Sequence, residues 1–209
     1  MTSILKKVGY YFFGLLCIAV GLYPIVYFVI DRHFGLLGSK STELLSNIIW
    51  NVGFYGHIIF GGLALLIGWL QFNKTLRLNK LRLHKLIGKI YMVSALISGT
   101  CGFYIAFYAT GGIISKIGFM ALAVIWLYTT FKGYQVIKRG EVSKHQYFMI
   151  FSYAACFSAV TLRIWLPVLS AIFGAFVPAY RIVAWLCWVP NICVAYFIVK
   201  NLKKKNLSF

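Results

Sequence analysis

Long charge-free runs alternate with short basic clusters along the chain. Val8 to Ile30 carries no charge and follows Lys6 and Lys7. The run is too long for a signal peptide and has no small-x-small cleavage site, so it reads as a first membrane span. Between Glu43 and Lys74 there is again no charge, which predicts a second span over 48–70, with Trp50 and Trp69 near its ends as interfacial anchors. Spans three and four are expected over 86–108 and 114–136, with a turn at Gly111-Gly112 between them. A fifth runs over 145–167, where Pro167 would kink or end it, and a sixth over 182–199. The connection through Pro178 is too apolar for an ordinary loop and is expected to lie in the interface or dip back into the bundle. Asp31 to Asn47 is the one sizeable polar loop on the other side. The pattern predicts an all-α integral membrane protein: six transmembrane helices in a single domain over 1–209, with spans two to five forming a four-helix core.

Composition agrees. Of 209 residues 61% are hydrophobic and 11% charged, against roughly 25% charged in soluble domains. Six spans of about 20 residues consume nearly the whole length, so any chemistry sits inside the bundle or at its rims. The net charge of +18 lies in short loops between apolar runs, which suits lipid headgroups rather than nucleic acid. Sixteen Lys and Arg fall in the segments assigned inside, from Lys6 and Lys7 to the tail at Lys200 to Lys205, against four outside (Arg32, Lys40, Lys116, Arg181). That bias places both termini and the two basic loops in the cytoplasm, in a cell inner (cytoplasmic) membrane. The five cysteines form no CxxC pair and read as small core residues.

Asp31, Glu43 and Glu141 are the only acids, all in or beside loops. A proton relay built on an intramembrane carboxylate, paired-carboxylate hydrolysis and carboxylate-bridged di-metal sites therefore lack their groups. GxSxG and HExxH are absent as well.

The chemistry-bearing residues within the spans are few. Arg163 is placed about one and a half turns before the outer end of span five. It either snorkels to headgroups or binds an anionic group of a ligand. His145 lies 18 residues earlier, five helical turns away, so the two share a face. Met149, Ser152, Cys156 and Ala159 lie on the same stripe, whose small middle suits close helix packing or a flat ligand. His57 stands in the outer half of span two with Gly53 and Gly61 on its face, leaving room for a planar ligand or for a helix contact. His84, Gly88 and Tyr91 share one face of span three. His84 and His145 each open the return helix of a hairpin, which gives the two hairpins a weak internal symmetry. The two are either solvated rim residues or a pair ligating one metal, and two histidines from facing helices are the usual axial ligands of a membrane b-type haem.

His57 with Gly61, Gly62 and Gly68, then Leu83-His84-Lys85-Leu86-Ile87-Gly88-Lys89-Ile90-Tyr91, Trp126, Lys144-His145-Gln146-Tyr147-Phe148-Met149 and Ala159-Val160-Thr161-Leu162-Arg163 form a combined pattern. It resembles the bacterial predicted-membrane-protein family catalogued as domain of unknown function 2306, over roughly residues 50 to 167. That family typically follows each of the two histidines with Arg. Here Lys85 and Gln146 stand in those places, and the Gln removes one cation. The layout is also similar, more weakly, to the four-helix core of transmembrane di-haem cytochromes b. Those carry two histidine pairs; here the inner pair is His84 and His145, while the outer site has His57 alone, with Met120 as an unusual second ligand at its depth. The expectation is a redox-type membrane protein holding haem b, with iron ligated by His84 and His145. His57, Arg163, Ser152 and Tyr91 would be ligand-binding residues, and a quinone or other polar headgroup the outer-leaflet ligand. The alternatives are a cofactor-free carrier or binding protein for a small anionic or lipid-like ligand, and a structural subunit of a membrane complex.

Overall fold

The computed structural model describes residues 3–29 and 35–207. Ile30, expected to close the first span, and Asp31 and Arg32, expected to open the polar loop, lie outside the described residues. Those described form helices and turns with no strand among them. Six helical segments are long and apolar enough to cross a membrane: Lys7–Val29, Ile48–Phe72, Leu81–Ala106, Ile113–Lys138, Val142–Phe173 and Phe176–Lys204. The protein is an all-α integral membrane protein with a lipid bilayer as its solvent.

Several ends differ from the expectation. The third span starts at Leu81 rather than 86. Arg82, Lys85 and Lys89 are helical and exposed, because long cationic side chains can keep their heads in water while their stems follow the helix. Pro167 neither ends nor interrupts its helix, which continues to Phe173. Its ring removes only the N–H that would reach the Arg163 carbonyl. The helix stops instead at Gly174, whose left-handed backbone (φ 61°) is the usual glycine C-cap. The apolar connection is therefore helical on both sides of a short turn at Gly174-Ala175 and forms no loop dipping back into the bundle.

The chain divides into two compact units, residues 1–98 and 99–209, with the boundary inside the third span. In the first unit, the first and second spans pack at glycines. A Cβ on Gly62 would stand 2.6 Å from the Gly21 carbonyl oxygen and 2.9 Å from Pro24 Cγ. Gly14 lies against the Trp69 ring in the same way. Small residues at these crossings let backbones approach, which is how helices associate without a hydrophobic driving force. Trp50 is buried (2% exposed). It stacks on Phe54 at 5.2 Å and 11°, so it is a core residue rather than the interfacial anchor its position suggested.

In the second unit, the fourth span packs against the first half of the fifth and the first half of the sixth, and the fifth and sixth pack on each other. Spans five and six are each broken partway. The fifth consists of helices Val142–Cys156 and Ser158–Phe173, the sixth of Phe176–Leu186 and Val189–Leu207. Pro190 explains the second break, since it has no N–H for the Leu186 carbonyl. At the first, the Thr161 hydroxyl turns its single proton to the Cys187 carbonyl of the sixth span, with the carbonyls of Ser158 (3.2 Å) and Phe157 (3.4 Å) only at longer range. None of the five cysteines forms a disulfide; Cys17, Cys156 and Cys187 are buried as expected, Cys101 is half-buried and Cys193 is exposed.

Candidate functional site

In the first unit, His57 is fixed by the third span. Its Nδ1 lies 3.0 Å from the Ser98 carbonyl oxygen. A carbonyl only accepts, so Nδ1 carries the proton. The Ser98 hydroxyl donates back to the His57 carbonyl at 2.8 Å. The exchange depends on Gly61, where a Cβ would stand 2.9 Å from Ser98 Oγ. The glycine beside His57 therefore serves a helix contact, and the serine occupies the space above it.

His84 is the fourth residue of the helix Leu81–Ala106, so the earlier helix start sets it firmly within the helix. It is half-buried, and its carbonyl accepts a bond from Gln71 Nε2 at 3.2 Å. Gln71 Oε1 lies 3.8 Å from where a Gly88 Cβ would be. One turn further, Tyr91 is 1% exposed. The face of His84, Gly88 and Tyr91 is a packed one, and Gln71 is its unforeseen polar neighbour; a lone amide closing a long apolar run was the available signal.

His145 in the second unit is likewise the fourth residue of its helix, Val142–Cys156. The chain enters that helix through Gly140 (φ 77°) and an i,i+3 ion pair between Lys144 and Glu141. The half-buried imidazole reaches across to the fourth span. There Nδ1 donates to the Gly133 carbonyl at 2.8 Å, which fixes the tautomer with the unprotonated lone pair on Nε2. Gly133 leaves room for the approach: a Cβ there would stand 2.7 Å from Met149 Sδ and would make that side chain shift.

Along the stripe from His145, Ser152 is fully buried and shares a 2.7 Å hydrogen bond with Thr130. Cys156 is 4% exposed. The small middle of the stripe is filled by the fourth span, so the Ser152 hydroxyl is committed to a helix–helix contact. Arg163 folds back along its own helix, with Nη1 donating to the Ala159 carbonyl at 2.9 Å. Because the helix runs on to Phe173, Arg163 stands roughly 15 Å from its end, not the one and a half turns expected.

A polar cluster between the broken spans was not foreseen. Asn191 Nδ2 donates to the Cys187 carbonyl (2.9 Å), Thr161 Oγ1 (3.2 Å) and, at longer range, the Ala154 carbonyl (3.4 Å). The Thr161 hydroxyl donates to the same Cys187 carbonyl. The clasp ties the two breaks together with backbone groups that regular helices would have used internally. Among the described residues there is no grouping of three or more His, Cys, Asp or Glu able to hold a metal ion by themselves; bis-histidine haem ligation needs only two.

Fold and site together define a multi-pass helical membrane protein in which His57 and His145 are oriented by backbone carbonyls of neighbouring helices. A family profile described as predicted membrane protein (DUF2306) matches residues 54–199, reaching beyond the fifth span into the sixth, and the chain belongs to that family. No curated protein and no solved structure matches the chain.

Proposed function

We propose that the protein is a membrane redox protein that binds b-type haem through His145 Nε2. The observation that carries this reading is the 2.8 Å bond from His145 Nδ1 to the Gly133 carbonyl. Metal-ligating histidines almost always donate their other ring N–H to a carbonyl or carboxylate, which sets the tautomer and raises ligand basicity. A half-buried imidazole with Nδ1 so engaged fits that role. Haem bound there would supply one-electron chemistry; the chain's part is to orient the ligand, exclude water and hold the group in an apolar bundle. His84 is the second ligand in this reading, on sequence grounds: it opens the return helix of the other hairpin at the same helical position. His57 and Arg163 belong to contacts with a propionate, a quinone or another polar headgroup. Charge bias puts both termini and the basic loops in the cytoplasm, with the protein in the cytoplasmic membrane.

The test is an absorption spectrum of the protein purified in mild detergent from cells supplied with haem precursor, as isolated and after dithionite. A Soret band and a sharpened α band on reduction are expected. A flat visible spectrum overturns the reading and returns the weight to a cofactor-free binding protein or a structural subunit.

A further inference from the structure

The residues flanking the break in the sixth span line an open surface groove of about 540 Å³ in the second unit. Ile114, Ile182, Val189 and Pro190 line it, with Trp185 in its wall and Arg181 at its edge. Its construction follows from the chain. Gly118 lets the fourth span meet the sixth, since a Cβ there would stand 2.8 Å from the Ala184 carbonyl oxygen. Trp185 Nε1 donates to the Ile114 carbonyl at 3.2 Å and pins the indole across that crossing. Beyond it the break at Cys187-Trp188 and Pro190 turn the following helix onto a new course.

Arg181, among the residues lining the groove, is held in place. Its Nε donates to the carbonyl of Gly111 in the turn joining spans three and four (2.8 Å), and its Cγ packs where a Gly111 Cβ would be, 3.0 Å away. The side chain is exposed, and that bond uses one of five guanidinium N–H groups. The only acid within 99–209 is Glu141, and it pairs with Lys144. Arg181 is therefore a positioned, exposed cation with no unpaired carboxylate in its own unit, lining an apolar groove.

We infer that this groove binds an anionic phospholipid, its phosphate on the Arg181 guanidinium and an acyl chain along Ile114, Trp185 and Pro190. Charge selects the class, because a basic side chain at the headgroups favours an anionic lipid over a zwitterionic one. The apolar lining selects a lipid over a soluble phosphate. The inference is independent of haem.

Brominated acyl chains quench nearby tryptophans, so the test reconstitutes the full chain in phosphatidylcholine bilayers carrying a small fraction of brominated lipid. The Trp185 component is isolated by difference from Trp185→Phe. Brominated phosphatidylglycerol is expected to associate about fivefold more strongly than brominated phosphatidylcholine, the worth of one basic side chain at the headgroups. That preference should vanish in Arg181→Gln, persist in Arg181→Lys and shrink at high salt in the unaltered protein. Equal quenching by both lipids, or a preference unchanged in Arg181→Gln or by salt, overturns the inference. Relief of the quenching by water-soluble glycerol phosphate overturns it in favour of a soluble phosphate ligand.

Discussion

Two glycines of the first unit should respond to the same added methyl with opposite signs. At Gly88 a Cβ meets only Gln71 Oε1 at 3.8 Å, an ordinary contact. Gly88→Ala therefore keeps the helix-propensity gain of roughly 0.8–1 kcal/mol. At Gly62 the methyl would sit 2.6 Å from the Gly21 carbonyl oxygen and 2.9 Å from Pro24 Cγ. Neither is the end of a flexible side chain, so the backbones of the first and second spans must part. Overpacking of this kind costs roughly 1–3 kcal/mol, which the propensity gain offsets only in part, leaving a net loss of about 1 kcal/mol. The two variants then differ by about 2 kcal/mol, or roughly 4–8 °C in melting temperature for a chain of this size. Thermal denaturation in mild detergent, followed by tryptophan fluorescence and by loss of the monodisperse peak, reads the difference directly. A Gly62→Ala variant melting at or above the parent would refute the close crossing of spans one and two. A Gly88→Ala variant melting below the parent would refute the open space at that position.

Other outcomes follow from the polar contacts. Ser98→Ala removes the hydroxyl that bonds the His57 carbonyl but leaves the Ser98 carbonyl that holds Nδ1; the expected loss is about 0.6–1.7 kcal/mol, measured by the same melts. A double-mutant cycle on Asn191→Leu and Thr161→Val should give a coupling of about 0.5–2 kcal/mol, since both side chains converge on the Cys187 carbonyl; strict additivity would dissolve the clasp. Glu141→Gln should change the melting temperature by no more than about 2 °C, as the Lys144 pair lies at an exposed helix start.

The six spans were legible because charge-free runs of about 20 residues have few other uses. Their ends were less so. Leu81 to Leu86 carries cations that hydropathy reads as loop, although a helix tolerates them on an exposed rim. Pro167 is a helix breaker by local rule, yet the flanking apolar helix carries through it to Gly174. The histidines announced themselves as polar groups in apolar surroundings, and that signal also pointed to Ser152. Their partners did not, because Gly133 and Ser98 act through backbone carbonyls, and only the register of two packed helices reveals which carbonyl faces which ring. Asn191 and Thr161 were passed over for a related reason: a single amide and a single hydroxyl in different spans mean little until the breaks at Phe157 and Cys187-Trp188 bring them together.

The central claim is that His145 is a ligand and not merely a helix contact, and imidazole rescue tests it most directly. Haem content per protein, from the pyridine haemochrome, would be measured for the parent, for His145→Gly, and for His145→Gly purified with imidazole present. The account predicts haem in the parent, its loss in the variant, and return of a low-spin reduced spectrum when imidazole takes the vacated place. A variant that folds and retains the parent's spectrum without imidazole would contradict it, as would a parent that never acquires haem.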